Sequence, residues 1–364
     1  MSGGAAPARR AARVAVIPGD GIGPEVIAEG VKALTAACAR GGVDLALTHL
    51  DFGAERYLRT GETLPEADRD RLGRDFDALY LGAVGDPRVP DQRHAFDILF
   101  GLRFGLDLYA NVRPVKLLDA RLTPLRDRGP ADVDFVLVRE NTEGLYAHVG
   151  GFFKRHTADE TAVQLDVNTH RGVERILTYA FDLARRAGRR TVVMADKSNA
   201  LTYGHDLWQR LFRAVAARYP DITARHLYVD ALTALMVQRP QELEVVVTCN
   251  MFGDILGDLG AALQGGLGLA PSANLRPGAP GLFEPVHGSA PALAGRGHAN
   301  PYGAILTAAL LCDDLGLAAE AALLERAVTH VLRAGVLPRD LGGDAGTAAC
   351  GDAVAAAVAT LPAA

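Results

Sequence analysis

The feature that most constrains this chain is an alternation of apolar runs of strand length with stretches of helical period. It opens with the run Val14 to Ile17, the glycine turn PGDGIGPEV and a helix predicted to about Ala39, with Pro24 suited to its first turn. A strand over Asp44 to Leu50, a polar helix near Pro65 to Arg74 and a strand over Ala78 to Gly82 continue the pattern. After Asp97 come a short helix carrying Leu99, Leu102 and Arg103, the extended piece YANVRPVK and the apolar strand Val133 to Glu140. Such a rhythm predicts an α/β fold with a largely parallel sheet and functional loops at the strand ends. The glycines at 19, 21 and 23 lack the G-x-G-x-x-G spacing, so they read as a tight turn near a ligand rather than a dinucleotide fingerprint.

The rhythm breaks at Gly150 to Asn168, where two phenylalanines, mixed charge and β-branched residues suggest an arm or hairpin that pairs with another subunit. It returns with a helix from Thr169 to Ala187, a strand at Thr191 to Ala195 and a helix from Tyr203 to Arg218. A strand at Ala224 to Val229 and the run Val245 to Val247 follow, and the C-terminal part holds a glycine-rich stretch and helices near 301 to 315, 318 to 334 and 346 to 360. A chain of 364 residues is long for one core, so two domains are expected, interleaved because no linker marks a boundary. Residues 1–12, small and arginine-containing, read as a disordered lead-in. A net charge of -5 without a polybasic block argues against nucleic acid as a partner, and no run has the length of a membrane span or signal core. The expectation is a cytoplasmic protein. Cys38, Cys249, Cys312 and Cys350 show no paired spacing and read as buried free thiols.

Several residues carry chemistry. In NMFGDILGD, Asp254 and Asp258 stand four apart and would share one helix face, either holding a cation between them or serving as a first-turn acid and a solvated one. Asp230, at the end of the strand HLYVD, is a third hard oxygen ligand suited to magnesium or manganese, with a helix N-cap as its competing role. Arg103, Arg113 and Arg139 lie near element ends and suit a substrate with two carboxylates if they converge. Basic residues are nearly all arginine. Lys197, in the loop ADKSNAL, is one of four lysines and can lose its proton as an arginine cannot, which suits a general base as well as it suits a surface residue. The turn HGSAP, from His287 to Pro291, has backbone N–H groups able to approach a phosphate or ribose.

Taken in order, IPGDGIGPEV, LRFGLDLYANVRP, VRENTEGLY, DKSN, NMFGDILGD and EPVHGSAP resemble the β-decarboxylating dehydrogenases, the family of isocitrate, 3-isopropylmalate, homoisocitrate and tartrate/D-malate dehydrogenases, over roughly residues 13–360. The resemblance implies two interleaved α/β domains unlike the usual Rossmann fold: a large cofactor domain over 13–108 and 268–364, and a small domain over 109–267 with an arm at about 145–168. It implies a homodimer whose active sites use both subunits. By the same resemblance Arg103, Arg113 and Arg139 bind carboxylates, and Lys197, from the neighbouring subunit, acts as base on the C2 hydroxyl. Asp230 of the neighbour, Asp254 and Asp258 hold Mg2+ or Mn2+, and Tyr146 protonates the enolate. Asn199 lies near the nicotinamide, and Glu284, His287, Gly288, Ser289, Ala290 and Asn300 form the cofactor site.

The likeness has two departures. Ala292 stands where NAD enzymes commonly carry an aspartate, and Ala292 and Leu293 also lack the lysine and tyrosine of bacterial NADP-dependent isocitrate enzymes; NAD is the expected cofactor. Phe96, Leu99 and Phe100 match the helix that reads the group on C3. Asp97 would repel a third carboxylate there, and Phe96 departs from the usual glutamate of isopropylmalate enzymes. An NAD-dependent enzyme of the 3-isopropylmalate type is therefore expected. A tartrate/D-malate dehydrogenase or a biosynthetic paralogue acting on another 3-substituted malate is the alternative, ahead of an isocitrate or homoisocitrate enzyme or a non-catalytic regulatory subunit.

Overall fold

The computed structural model describes residues 10–362. In chain order the elements are β1 (Ala11–Gly19), α1 (Gly23–Arg40), β2 (Asp44–His49), α2 (Ala54–Thr60), α3 (Glu66–Asp75), β3 (Ala78–Ala83), α4 (Arg93–Gly105), β4 (Ala110–Lys116) and β5 (Asp134–Glu140). They continue with β6 (Gly150–Phe153), β7 (Thr161–Gln164), α5 (His170–Arg186), β8 (Thr191–Asp196), α6 (Gly204–Ala216), β9 (Thr223–Tyr228), α7 (Val229–Gln238) and β10 (Val245–Thr248). The last are α8 (Asn250–Gln264), β11 (Pro271–Leu275), β12 (Gly281–Pro285), α9 (Tyr302–Asp314), α10 (Ala318–Arg333) and α11 (Thr347–Thr360). The described residues divide into two compact units, one of residues 10–102, 268–273 and 277–362 and the other of residues 103–267 and 274–276.

In the first unit β1 lies between β2 and β3 and pairs parallel with both, and β12 pairs parallel with β3. Helix α1 packs against α9 and α11, and α10 packs against α9 and α11. The Tyr80 hydroxyl of β3 donates to the Ala304 carbonyl of α9 at 2.6 Å, which satisfies the polar end of a fully buried ring. Cys38 of α1 and Cys312 of α9 share a thiol hydrogen bond, and all four cysteines are free and buried, as the sequence predicts.

The second unit is a three-layer sandwich. Its strand order is β4-β5-β10-β8-β9, parallel except for the antiparallel β4/β5 pair. Alternate residues serve opposite faces: Val192, Met194, Val245 and Val247 pack with Ile176 and Leu177 of α5 and Trp208 of α6. Val193, Ala195 and Val246 pack with Leu232 and Met236 of α7 and Leu256 of α8. Strands covered on both faces read as unbroken apolar runs, which is why VVV at 245–247 shows no alternation. Each fully buried Val or Leu contributes roughly 1.5–3 kcal/mol.

Several elements differ from the sequence expectation. Strand β1 begins at Ala11, because Arg10 is anchored to Glu320 at 2.5 Å, so the lead-in is shorter than 1–12; residues 1–9 lie outside the described residues. Helices α2 and α7 and strands β11 and β12 are additional. Helix α7 starts directly from β9, with Tyr228 at its N-cap in an extended conformation, so Asp230 lies in its first turn rather than at the strand end or the N-cap. Residues 150–164 do form an antiparallel hairpin, with every residue of both strands exposed.

Candidate active site

In the second unit, β4 and β5 each aim an arginine toward α8. Strand periodicity puts Asn111 and Arg113 on one face of β4 while Val112 joins the opposite core, and Arg139 takes the corresponding place on β5 beyond Phe135 and Leu137. Helix α8 approaches this face closely because it has glycines there. A Cβ on Gly253 would come within 2.5 Å of the Arg139 stem, and one on Gly257 within 2.3 Å of the Arg113 guanidinium.

This approach delivers Asp254 to both cations. Arg139, 1% exposed, donates to Asp254 Oδ1 at 2.6 Å and to Asn250 Oδ1 at 3.0 and 2.7 Å. Arg113 donates to the same Asp254 oxygen at 3.1 Å and to Asn111 Oδ1 at 2.8 Å. The Tyr146 hydroxyl donates to Asp254 Oδ2 at 2.9 Å, and the Arg139 guanidinium lies 5.1 Å from the Tyr146 ring centroid. Burial, then the charges of Arg113 and Arg103, push Arg139 below its ordinary value while Asp254 opposes them; a guanidinium nonetheless stays charged at neutral pH. Arg113 and Arg139 therefore meet on one carboxylate, and the charges of Arg113 and Arg103 both bear on Arg139, which the sequence could not show.

The carboxylates diverge in the opposite sense. Burial alone would raise Asp254, but Arg139 and Arg113 bring it below the ordinary carboxylate range. Asp258 is held above that range by burial and by the charge of Asp254, against Arg113. Asp254 is the fifth residue of α8, past the first turn, so the helix-dipole reading does not apply to it. A pair of acids one turn apart, the outer one reluctant to ionise, is a donor set that a divalent cation would relieve. Among the described residues no three His, Cys, Asp or Glu side chains gather into a metal-sized group, so one chain does not bring Asp230 to Asp254 and Asp258.

Lys197 and Asp230 instead form an ion pair with each other, and the lysine ammonium lies 5.9 Å from the Tyr228 ring centroid. That hydrogen bond lowers Asp230 below the ordinary range. Asn199 is exposed in the turn after β8. Burial raises Tyr146, with the hydrogen bond to Asp254 adding to it, so its proton is retained at neutral pH.

In the first unit the loops after β1, β3 and β12 meet. Ile22 N–H donates to the Ser289 carbonyl at 2.9 Å, and a Cβ on Gly21 would fall 1.9 Å from that oxygen, so the glycine turn is shaped by its approach to HGSAP. Asp20, 6% exposed, accepts from Ala54 N–H at 2.7 Å and Gly85 N–H at 2.8 Å and sits 3.0 Å from His94 Nε2 of α4. Ala290 holds φ +38°, while the space where a Gly288 side chain would stand is open. His287 is lowered by burial, and among the described residues its Nε2 has no hydrogen-bond partner. Glu284 is buried at the end of β12, and Asn300 donates to Asp340 at 3.0 Å. An open glycine, an unused ring nitrogen and a strained backbone make a cradle that suits a polar cofactor.

Helix α4 buries His94, Ile98 and Leu102 and turns Phe96 outward, 40% exposed, with the Phe100 ring 4.7 Å away. Asp97 is engaged elsewhere, accepting from the Thr63 hydroxyl at 2.9 Å and lying 3.6 Å from Arg93. Its carboxylate is therefore compensated and is a weaker barrier to an anionic substituent than the sequence suggests. Sequence reasoning passed over Asn111, Asn250, Asp20 and Asp196; Asn250 opens the NMFGD motif, but nothing in its position announced a bond to Arg139.

The chain thus combines two α/β units with buried arginines that meet an acid of helix α8. A family model described as isocitrate/isopropylmalate dehydrogenase matches residues 13–354, and the chain belongs to that family. It is thus an oxidoreductase. A 3-isopropylmalate dehydrogenase of Thermobifida fusca (strain YX) is 48% identical over 326 residues, covering 89% of this chain and 92% of that protein. One of Streptomyces coelicolor is 46% identical over 353 residues, covering 96% and 99%. The crystal structure of isocitrate dehydrogenase from Methylococcus capsulatus matches with a TM-score of 0.86 at 38% identity, covering 95% of this chain and 99% of that one. No helix among the described residues is long and apolar enough to cross a membrane.

Proposed function

We propose that the protein catalyses the metal-dependent oxidative decarboxylation of a 3-substituted malate with NAD, of the 3-isopropylmalate type. The observation that carries this reading is the convergence of Arg113 and Arg139 on Asp254, with Tyr146 on its second oxygen. Two carboxylates of a malate suit guanidinium groups already held in a plane by Asn111 and Asn250, since a pre-oriented fork loses little entropy on binding.

When bound, a divalent cation on Asp254 and Asp258, completed by Asp230 of a second subunit, supplies Lewis acidity at the C2 oxygen, and NAD, near Asn199 and cradled by Glu284, His287, Gly288, Ser289, Ala290 and Asn300, supplies the hydride acceptor. Lys197 of that second subunit, in its neutral amine form, takes the C2 hydroxyl proton as the hydride leaves. Arg103, Arg113 and Arg139 hold and orient the carboxylates; as CO2 leaves, the electrons of the broken C–C bond pass to the C2 carbonyl and give the enolate. Tyr146, whose hydroxyl keeps its proton, then delivers it to the carbon left behind. Phe96, Leu99 and Phe100 offer the C3 substituent an apolar and aromatic face, which favours isopropyl over a third carboxylate.

A homodimer accompanies the reading, supported by the hairpin of β6 and β7, where Phe152, Phe153, Val163 and Leu165 are at least half exposed. The test is a set of initial rates with 3-isopropylmalate, D-malate, tartrate, isocitrate and homoisocitrate, each with NAD and NADP. Highest kcat/KM with 3-isopropylmalate and NAD is expected; turnover confined to isocitrate would overturn the assignment.

A further inference from the structure

We propose that Asp196 and His226 are positioning residues that set Lys197 against Asp230, an inference that rests on the role given to Lys197 above. Asp196 is the last residue of β8 and has no solvent exposure. Its Oδ1 accepts from Ser198 N–H at 3.1 Å and the Ser198 hydroxyl at 3.2 Å and lies 2.8 Å from His226 Nε2; its Oδ2 accepts from Gln209 of α6 at 2.8 Å.

A turn-forming aspartate explains only the Ser198 contacts, and a surface serine or asparagine would make them at less cost. Burying a carboxylate is worth its desolvation only when several donors meet it, and these four come from the lysine loop, α6 and β9. The bond to His226 is the informative one. Strands β8 and β9 pair in parallel with Met194 opposite His226 and Asp196 opposite Tyr228, so this contact crosses the ladder diagonally near its end. Lys197 follows immediately on β8, and Asp230, in the first turn of α7, is the second residue after β9. The diagonal brace therefore fixes the separation between the lysine ammonium and the carboxylate it meets.

The backbone of Lys197 is held as well. Its N–H donates to His205 Nδ1 at 2.8 Å, which assigns the ring proton to Nε2, and burial keeps that imidazole neutral. His226 in turn has its ring edge on Tyr228 at 5.1 Å, the residue under the lysine ammonium. Loop, strand end and side chain are thus referenced to one buried carboxylate, and a general base displaced by about 1 Å loses on the order of 100-fold in rate.

The experiment compares His226→Ala, His226→Gln, Asp196→Asn and Lys197→Ala in the full-length protein, using the best malate of the panel above with NAD. His226→Ala should lower kcat by about 10–100-fold with KM for the malate within about threefold, because the carboxylate clamp is untouched. His226→Gln, which keeps a donor for Asp196, should recover most of that loss, and Asp196→Asn, which cannot accept from four donors, should lose at least as much as His226→Ala. Melting temperatures of the His226 variants within a few degrees of one another would separate positioning from folding, so the test stands if Asp196→Asn does not fold. If His226→Ala keeps wild-type kcat while Lys197→Ala is inactive, the brace is wrong and the base assignment stands. If Lys197→Ala itself turns over normally, the base assignment fails and this inference with it.

Discussion

At the scale of single residues the site is a set of charges that hold one another at unusual values. Glu140 follows Arg139 and accepts from Thr142 N–H and hydroxyl and from Glu143 N–H, yet burial raises its carboxyl to about 7. An unfolded glutamate releases its proton near pH 4.5, so between that value and about 7 the folded state binds more protons. Stability from this group is complete below the unfolded value and is lost as pH rises through the folded one. Glu140→Gln should abolish that slope: in urea titrations the wild type should lose roughly 3 kcal/mol relative to the variant between pH 4 and pH 8, and a constant difference would contradict the assignment. The individual acids and arginines were legible in the sequence because motifs carried them. Their mutual effects were not, since no spacing reports that Arg103, Arg113 and Arg139 share one space or that Asn250 orients one of them.

At the scale of elements, α8 makes the site by coming close. Gly257→Ala would drive a methyl into the guanidinium of Arg113, a residue only 7% exposed that is also tied to Asn111 and Asp254. Loss of one charge-assisted contact should lower kcat/KM for the malate about 10–100-fold, mostly through KM; unchanged kinetics would show that Arg113 does not clamp the substrate. Helix α4 makes a second prediction. Phe96→Ala with Phe100→Ala should cost about tenfold or more in kcat/KM for 3-isopropylmalate and less than about threefold for D-malate, as apolar contact is lost only where there is a substituent to touch. Equal losses on both would contradict that role. The long periodic elements were readable, α1 and α9 to α11 nearly to the residue. Those missed share a cause: α2 is seven residues long, β11 and β12 are short and set among glycines and prolines, and α7 begins where β9 ends without a breaking residue. Its concealment is why Asp230 read as a strand end.

For the whole molecule, neither compact unit is continuous in sequence, so no linker marks a boundary between them. The hairpin of β6 and β7 is a two-stranded ribbon with no core of its own, and such ribbons are marginal unless something covers them. Phe152→Ser with Phe153→Ser should shift the protein toward monomer in sedimentation and lower its specific activity with it; a full dimer with the wild-type melting temperature would assign the interface elsewhere. The central claim is that the α8 acid pair and the facing arginines bind a malate and the cation that activates it. Its most direct measurement is NADH formation from 3-isopropylmalate and Mn2+ by the wild type and by Asp254→Asn. Turnover by the wild type that a chelator abolishes, and a fall of at least about 100-fold in the variant, are expected. Turnover by Asp254→Asn within threefold of the wild type, or rates indifferent to the chelator, would contradict it.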